Sequence, residues 1–158
     1  MEKIFTPEMY SPGKTIKLCR NQLGLTLKEF GIRLGFNEEN ADVRVWQYEN
    51  NLRTPNEKLL QNMANTLGVS KYAISAPTIE NEAAAMQLLM KLDAVYGIGM
   101  IRTDGQVYMN FAPHCNILRT YTDQLYQLKL MFYNGQITYE TYQYLKCTFN
   151  PLWNQSAV

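Results

Sequence analysis

The chain has one histidine, three cysteines without a C-x-x-C pair, and no excess of either charge: fifteen Lys and Arg stand against fourteen Asp and Glu over 158 residues, a formal net charge of +1. Each scarcity excludes something. Cys19, Cys115 and Cys147 are too few and too scattered for a disulfide framework, so they are expected reduced and packed. His114-Cys115 with the distant Cys147 lacks the spacing of a zinc site, so no metal is expected. Near-neutral charge removes the basic balance of many nucleic-acid proteins, and any DNA contact must come from local placement. Residues 11 to 70 hold eight basic against six acidic residues, whereas 71 to 158 hold six of each. No run of about 18 apolar residues offers a membrane span, and the opening MEKIFTPEMY lacks the basic-then-apolar order of a secretory signal, so a cytoplasmic chain is expected. Asp93, Asp104, Asp123 and Glu140 form no catalytic constellation, and neither a phosphate loop nor a nucleophile elbow is present. The expectation is no enzyme and no cofactor.

What is there is a globular composition, 46% hydrophobic, with helical spacing and helix punctuation. Residues 25 to 55 spell two short helices and a tight exit. Thr26 and Glu29 stand as T-x-x-E, a capping box, and Leu27, Phe30 and Leu34 follow at helical spacing before Gly35. A polar link, FNEEN, leads to Ala41 to Asn50, with Asn40 placed to cap it. There Val45 and Tyr48 face inward and Asp42, Val43, Arg44 and Gln47 outward. Asn51 suits a left-handed exit, and Pro55 stops the helix. Two such helices in succession are the layout of a helix-turn-helix, whose second helix enters the major groove.

Around this pair, Ser11-Pro12 starts a first helix that Gly24 closes, and Asn56 to Leu67 forms another with Leu59, Leu60, Met63 and Leu67 on one side. A short apolar turn, KYAIS, follows. Near Pro77 the composition shifts to stretches rich in Ala, Leu, Met and Tyr. Ala85, Leu88, Leu89, Leu92, Val95 and Tyr96 make 80 to 96 an amphipathic helix. GMIRT and QVYMNF flank Asp104-Gly105, a two-residue loop suited to a type I′ hairpin. Residues 116 to 134 carry Leu118, Tyr121, Leu125, Leu128 and Phe132 on one stripe with further apolar residues elsewhere, and Thr138 caps a last helix, YETYQYLKCTF. The fold class expected is mainly α: a five-helix DNA-binding domain, then a small helical domain containing one β-hairpin. The boundaries expected are an arm at 1 to 10, a helix-turn-helix domain at 11 to 76, a dimerisation or partner-binding domain at 77 to 151, and a tail at 152 to 158.

The runs IKLCRNQLGLT, LKEFGIRLGF, VWQYENNLRTP and LLQNMANTLGVS together resemble the Cro/CI-type (XRE-like) helix-turn-helix regulators over about 60 residues. The long link before ADVR, the tract YENNLRTP, then LMKLDAVYGI, the DG hairpin and NGQITYETY look like a long-turn group found on Gram-positive mobile elements. The resemblance implies a structural ion pair between Arg20 and Glu49. It implies base-reading positions at Asp42, Val43 and Gln47, with Arg44 beside them, and phosphate contacts at Asn50 and from Thr26 to Lys28. Three features depart from the family: Leu27 stands where glutamine is common, Asn51 replaces the turn glycine, and the link is about four residues longer.

The side chains suit those roles. Arg44 has the planar fork for guanine, Gln47 the amide for adenine, and Val43 a methyl contact for thymine. Asp42 has three roles open to it: accepting from cytosine, bracing Arg44, or capping the helix. Lys28, Arg53 and Lys14 are candidates for phosphate, and Trp46 is expected to pack the elongated turn. Leu118, Tyr121, Leu125, Leu128 and Phe132 are the candidate dimer or partner surface. The function expected is a sequence-specific DNA-binding transcriptional regulator, a dimeric repressor. The alternative is an antitoxin-like or inhibitor protein whose C-terminal half binds a protein partner while the helix-turn-helix autoregulates its operon.

Overall fold

In the computed structural model of the chain, residues 11–75, 79 and 81–148 are described. The expected arm at 1 to 10, the boundary at Pro77 and the tail at 152 to 158 lie outside them. Among the described residues the protein is mainly helical, with one two-stranded antiparallel hairpin. It divides into two compact units. One contains α1 (Pro12–Gln22), α2 (Leu27–Arg33), α3 (Ala41–Glu49), α4 (Glu57–Leu67) and α7 (Tyr139–Cys147). The other contains α5 (Glu82–Tyr96), β1 (Ile98–Thr103), β2 (Gln106–Phe111) and α6 (Asn116–Tyr133).

In the first unit each helix begins on a side-chain cap except α3. Ser11 Oγ accepts from the Lys14 N–H, Thr26 and Glu29 close a reciprocal capping box, and Asn56 Oδ1 accepts from the Leu59 N–H at 2.9 Å. Asn40 occupies the cap position of α3, but its side chain makes no cap bond. Asp42 takes up that work instead, its Oδ1 accepting from the Val43 N–H at 2.8 Å. The helices close on a core whose fully buried side chains include Phe30, Ile16, Met63, Leu67, Ile74 and Val45. Ile74 reaches it from the KYAIS turn, where the resemblance to a five-helix domain places a fifth helix.

The sequence placed the last helix, α7, with the second module. It packs instead on α1 in the first unit. Cys147 joins the core with Tyr144 against it, the Ser70 N–H donates to the Cys147 carbonyl at 2.9 Å, and the Tyr144 hydroxyl donates to the Leu67 carbonyl at 3.3 Å. The apolar period of α7 announced a buried face without saying which module would bury it.

Two glycines let the backbones meet. A Cβ on Gly31 of α2 would lie 2.6 Å from the Ala41 carbonyl oxygen, and one on Gly13 of α1 would lie 2.5 Å from the carbonyl oxygens of Tyr48 and Glu49. At both places a hydrogen fits and a methyl group does not.

The second unit is built from the expected parts. Asn81 caps α5, and Asp104 and Gly105 both take positive φ in the two-residue hairpin loop, with Thr103 opposite Gln106 and Met100 opposite Met109. Its burial is sparse. No residue of α5 is buried, its apolar stripe included, and Val95 is 68% exposed. Among the described residues of this unit, Cys115 and Leu128 are the buried hydrophobics.

Gly31→Ala is expected to force α2 and α3 apart and to cost ~1–3 kcal/mol, read as a lower urea midpoint. An unchanged midpoint would show that the two helices can separate freely.

Candidate nucleic-acid interface

The geometry around α3 starts from its buried side. Arg20 Nε and Nη2 donate to the two carboxylate oxygens of Glu49 at 2.5 and 3.1 Å, while Nη1 donates to the Leu25 carbonyl at 2.6 Å. The side chains are 8% and 3% exposed. A fork that serves a carboxylate and a carbonyl at once is what guanidinium geometry permits and an ammonium does not. At the exit of α3, Asn51 takes φ 56°. Its Oδ1 accepts from the Gly13 N–H at 2.9 Å and its Nδ2 donates to Ser11 Oγ at 3.0 Å. The side-chain amide does there what the glycine usual in the resembled family cannot.

With Ala41, Val45, Tyr48 and Glu49 turned inward, α3 presents Asp42, Val43, Arg44, Trp46 and Asn50 outward, with Gln47 half-buried at the edge. Trp46, expected to pack the long link, is 49% exposed beside Val43 at 51%. Its spacing from Val43 and Asn50 was the available signal that it shares their face. Phe36 of the link takes the packing role instead. It is partly buried against the core, stacks on Tyr48 with ring centroids 6.4 Å apart, and lies under the Arg44 guanidinium at 5.3 Å. The link therefore holds the Arg44 guanidinium against the Phe36 ring.

The candidate phosphate positions are differently engaged. The Thr26 hydroxyl is used by the capping box, donating to Glu29 Oε2 at 2.7 Å and accepting from the Glu29 N–H at 3.1 Å. Asn50 Nδ2 donates to the Trp46 carbonyl at 2.8 Å. Lys28 Nζ meets Glu38 Oε1 at 2.9 Å. That hydrogen bond raises the pKa of Lys28 above its ordinary value and lowers that of Glu38. Both are exposed, so the pair is readily exchanged for another partner. Glu38 was not singled out in the sequence because nothing in its spacing points to Lys28. Arg53 and Lys14 are exposed.

In the second unit the nominated stripe on α6 is the less open one. Leu128 is buried, and Leu118, Tyr121, Leu125 and Phe132 are half-buried. Tyr126, Met131 and Tyr133 on the same helix are more exposed, at 59%, 40% and 73%. Among the described residues no group of three or more His, Cys, Asp or Glu is placed to hold a metal ion, and no helix is long and apolar enough to cross a membrane.

No family model matches the chain, and no curated protein matches it. One solved structure similar to it is that of the transcriptional regulator BswR, at 20% sequence identity and a TM-score of 0.41, covering 79% of this chain and 98% of that one. A likeness of that degree fixes nothing about what this chain binds.

Arg20→Ala is expected to strand the Glu49 carboxylate in the core and cost ~3–5 kcal/mol, measured by thermal unfolding. Arg20→Lys should recover only a minor part, because an ammonium lacks the planar fork that bonds both Glu49 oxygens side-on while reaching the Leu25 carbonyl. Full recovery by lysine would show that charge alone, without the fork, holds α3.

Proposed function

We propose that the chain is a sequence-specific DNA-binding transcriptional regulator, a repressor of the Cro/CI type acting as a homodimer. The observation that supports this most is the outward face of α3: a helix locked on its buried side by Arg20, Tyr48 and Asn51 leaves Val43, Arg44, Trp46 and Gln47 where a major groove would meet them. Arg44 reads guanine after its guanidinium leaves the Phe36 ring, and Gln47 reads adenine. Val43 and the neighbouring Trp46 offer apolar contact to a thymine methyl. Asp42 caps the helix and leaves Arg44 to do the reading. Lys28, Arg53, Asn50 and the start of α2 at Thr26 contact phosphate, Lys28 after releasing Glu38.

One recognition helix covers a few base pairs, and two of them about one helical turn apart supply the affinity such a motif needs. The second unit supports dimerisation. Of the twenty-two exposed large hydrophobics among the described residues, sixteen lie between Ile79 and Tyr133, against two buried ones there. That ratio is the reverse of a self-sufficient core. A second copy laid over α5, the hairpin and the open side of α6, reaching the half-buried Leu118, Tyr121, Leu125 and Phe132 around the buried Leu128, needs to cover ~800 Å² per partner to make a standard interface. The same surface supports a second reading, an antitoxin-like or inhibitor protein that docks a different chain there.

Selection of bound fragments from random DNA tests the regulator. Arg44→Ala should lose preference at one base position. Lys28→Ala should weaken all sequences and flatten the dependence of log affinity on log salt by about one unit of slope. Glu38→Gln, by freeing Lys28, should strengthen all of them a few-fold. Failure of the wild-type chain to select any motif would sink the reading. Light scattering at micromolar concentration should give a dimer, and a monomer there would favour the second reading.

A further inference from the structure

We propose that the outer edge of β2 pairs antiparallel with the same edge of a second copy, joining two hairpins into one four-stranded sheet. The inference rests on the homodimer reading above and names its contact. Thr103 and Gln106 flank the two-residue loop, and in such a hairpin the flanking pair is hydrogen-bonded, with bonded and non-bonded pairs alternating away from it. The Ala112 N–H, donating to the Gly97 carbonyl at 3.1 Å, keeps that alternation past the end of the strands. Gln106, Tyr108 and Asn110 therefore bond inward to β1. The backbone groups of Val107, Met109 and Phe111 point the other way, and among the described residues they have no partner.

The two edges of the hairpin differ. On β1 the outward Ile98 N–H already donates to Asp93 Oδ1 at 2.8 Å, and Arg102 puts a charge among the outward positions. An occupied donor and a charge both keep an edge from pairing. β2 has neither. It carries no charged residue, no proline and no glycine, and its register runs without a bulge from Gln106 to Phe111. Gln106 to Asn110 are exposed and Phe111 is half-buried. An unguarded edge of this kind is a template for another strand.

The strand that fits is a second β2. The outward positions are centred on Met109, so a twofold axis there sets Met109 against its own image and Val107 against Phe111 of the second copy. Every outward N–H and C=O on both strands then finds a partner. With no charge on β2, the edge meets its image without like-charge repulsion. Residues opposite one another share a face, so the apolar side made by Ile98, Met100, Val107, Met109 and Phe111 continues from one copy into the next. Val107 and Met109, open to solvent in the single chain at 52% and 57%, become cross-strand apolar pairs.

The test is read on the full-length wild-type chain, by light scattering for its oligomeric state and by site-resolved amide exchange for the edge. The expected result is a dimer in which the amides of Val107, Met109 and Phe111 exchange as slowly as those of Tyr108 and Asn110. A mixture of labelled and unlabelled chains should give an interchain contact between the α-protons of Tyr108 and Asn110. Met109→Pro removes an outward donor and no bond of the hairpin, and should weaken the dimer about tenfold or more. Met109→Lys, which sets like charges across the axis, should weaken it as well. Because exchange and contact are read on the wild type, a variant that fails to fold does not spoil them. A dimer with fast-exchanging Val107, Met109 and Phe111, an interchain contact in another register, or a dimer of full strength in both variants overturns the edge pairing and leaves the homodimer reading standing. A monomeric wild type overturns both and turns the edge toward the different chain of the second reading.

Discussion

The buried contact between Arg20 and Glu49 sets the orientation of everything a duplex would touch. Taking both charges out of water is costly, and the cost is offset only because the geometry is complete: two parallel bonds to the carboxylate and a third to the Leu25 carbonyl. The third bond matters as much as the first two. It makes one side chain answer to α1, to the turn before α2 and to the end of α3 together, so none of these can rotate without stranding a buried polar group. A hydrophobic pair of equal volume would fill the space with less direction. Asn51 repeats the device one turn further on, and the closeness of Gly13 to the Tyr48 and Glu49 carbonyls lets both devices operate at once. The outward face of α3 is a consequence of this inward bonding.

The longer link between α2 and α3 keeps that orientation without lengthening the distance between the helices. After α2 ends on a left-handed Gly35, the Phe36 N–H donates back to the Gly31 carbonyl and the ring stacks on Tyr48, so the chain returns to the core before the extra residues begin. The residues beyond it, Asn37 to Asn40, are exposed. One of them, Glu38, occupies Lys28, the cation nearest the start of α2. An acidic link beside a prospective phosphate contact lowers attraction for any polyanion equally.

What the sequence disclosed was whatever depends on near neighbours. Caps at Ser11, Thr26 and Thr138, the exit at Asn51 and the two-residue loop at Asp104-Gly105 are short-range hydrogen-bond choices, and each was readable from residue type and spacing. Asn40 misled because its position matched a cap while Asp42, two residues on, competed successfully for the first turn. Contacts between distant residues were legible only where a family pattern carried them, as for Arg20 and Glu49. The docking of α7 and the pairing of Lys28 with Glu38 have no periodic signature. Nor does a crossing so close that Gly31 must lack a side chain. Trp46 was misjudged for another reason: its size argued for burial, and its helical angle, which argued otherwise, was the better guide.

The two units obey different physics. In the first, Phe30, Val45, Met63 and Leu67 are removed from water altogether, so its shape is determined by its own chain. In the second, α5 shows the regular apolar spacing of a buried helix and buries none of it. The hairpin sets Met100 opposite Met109 and Ile101 opposite Tyr108, with all four side chains open to solvent. Two strands alone are marginal in water, and a helix of that apolar spacing gains its stability from what it packs against. The second unit thus carries many Leu, Met, Ile and Tyr residues on its surface, while Asn81 caps α5 and Asp104-Gly105 turn the hairpin. The elements form from local signals, whereas the apolar faces of α5 and the hairpin stay open to solvent in the single chain.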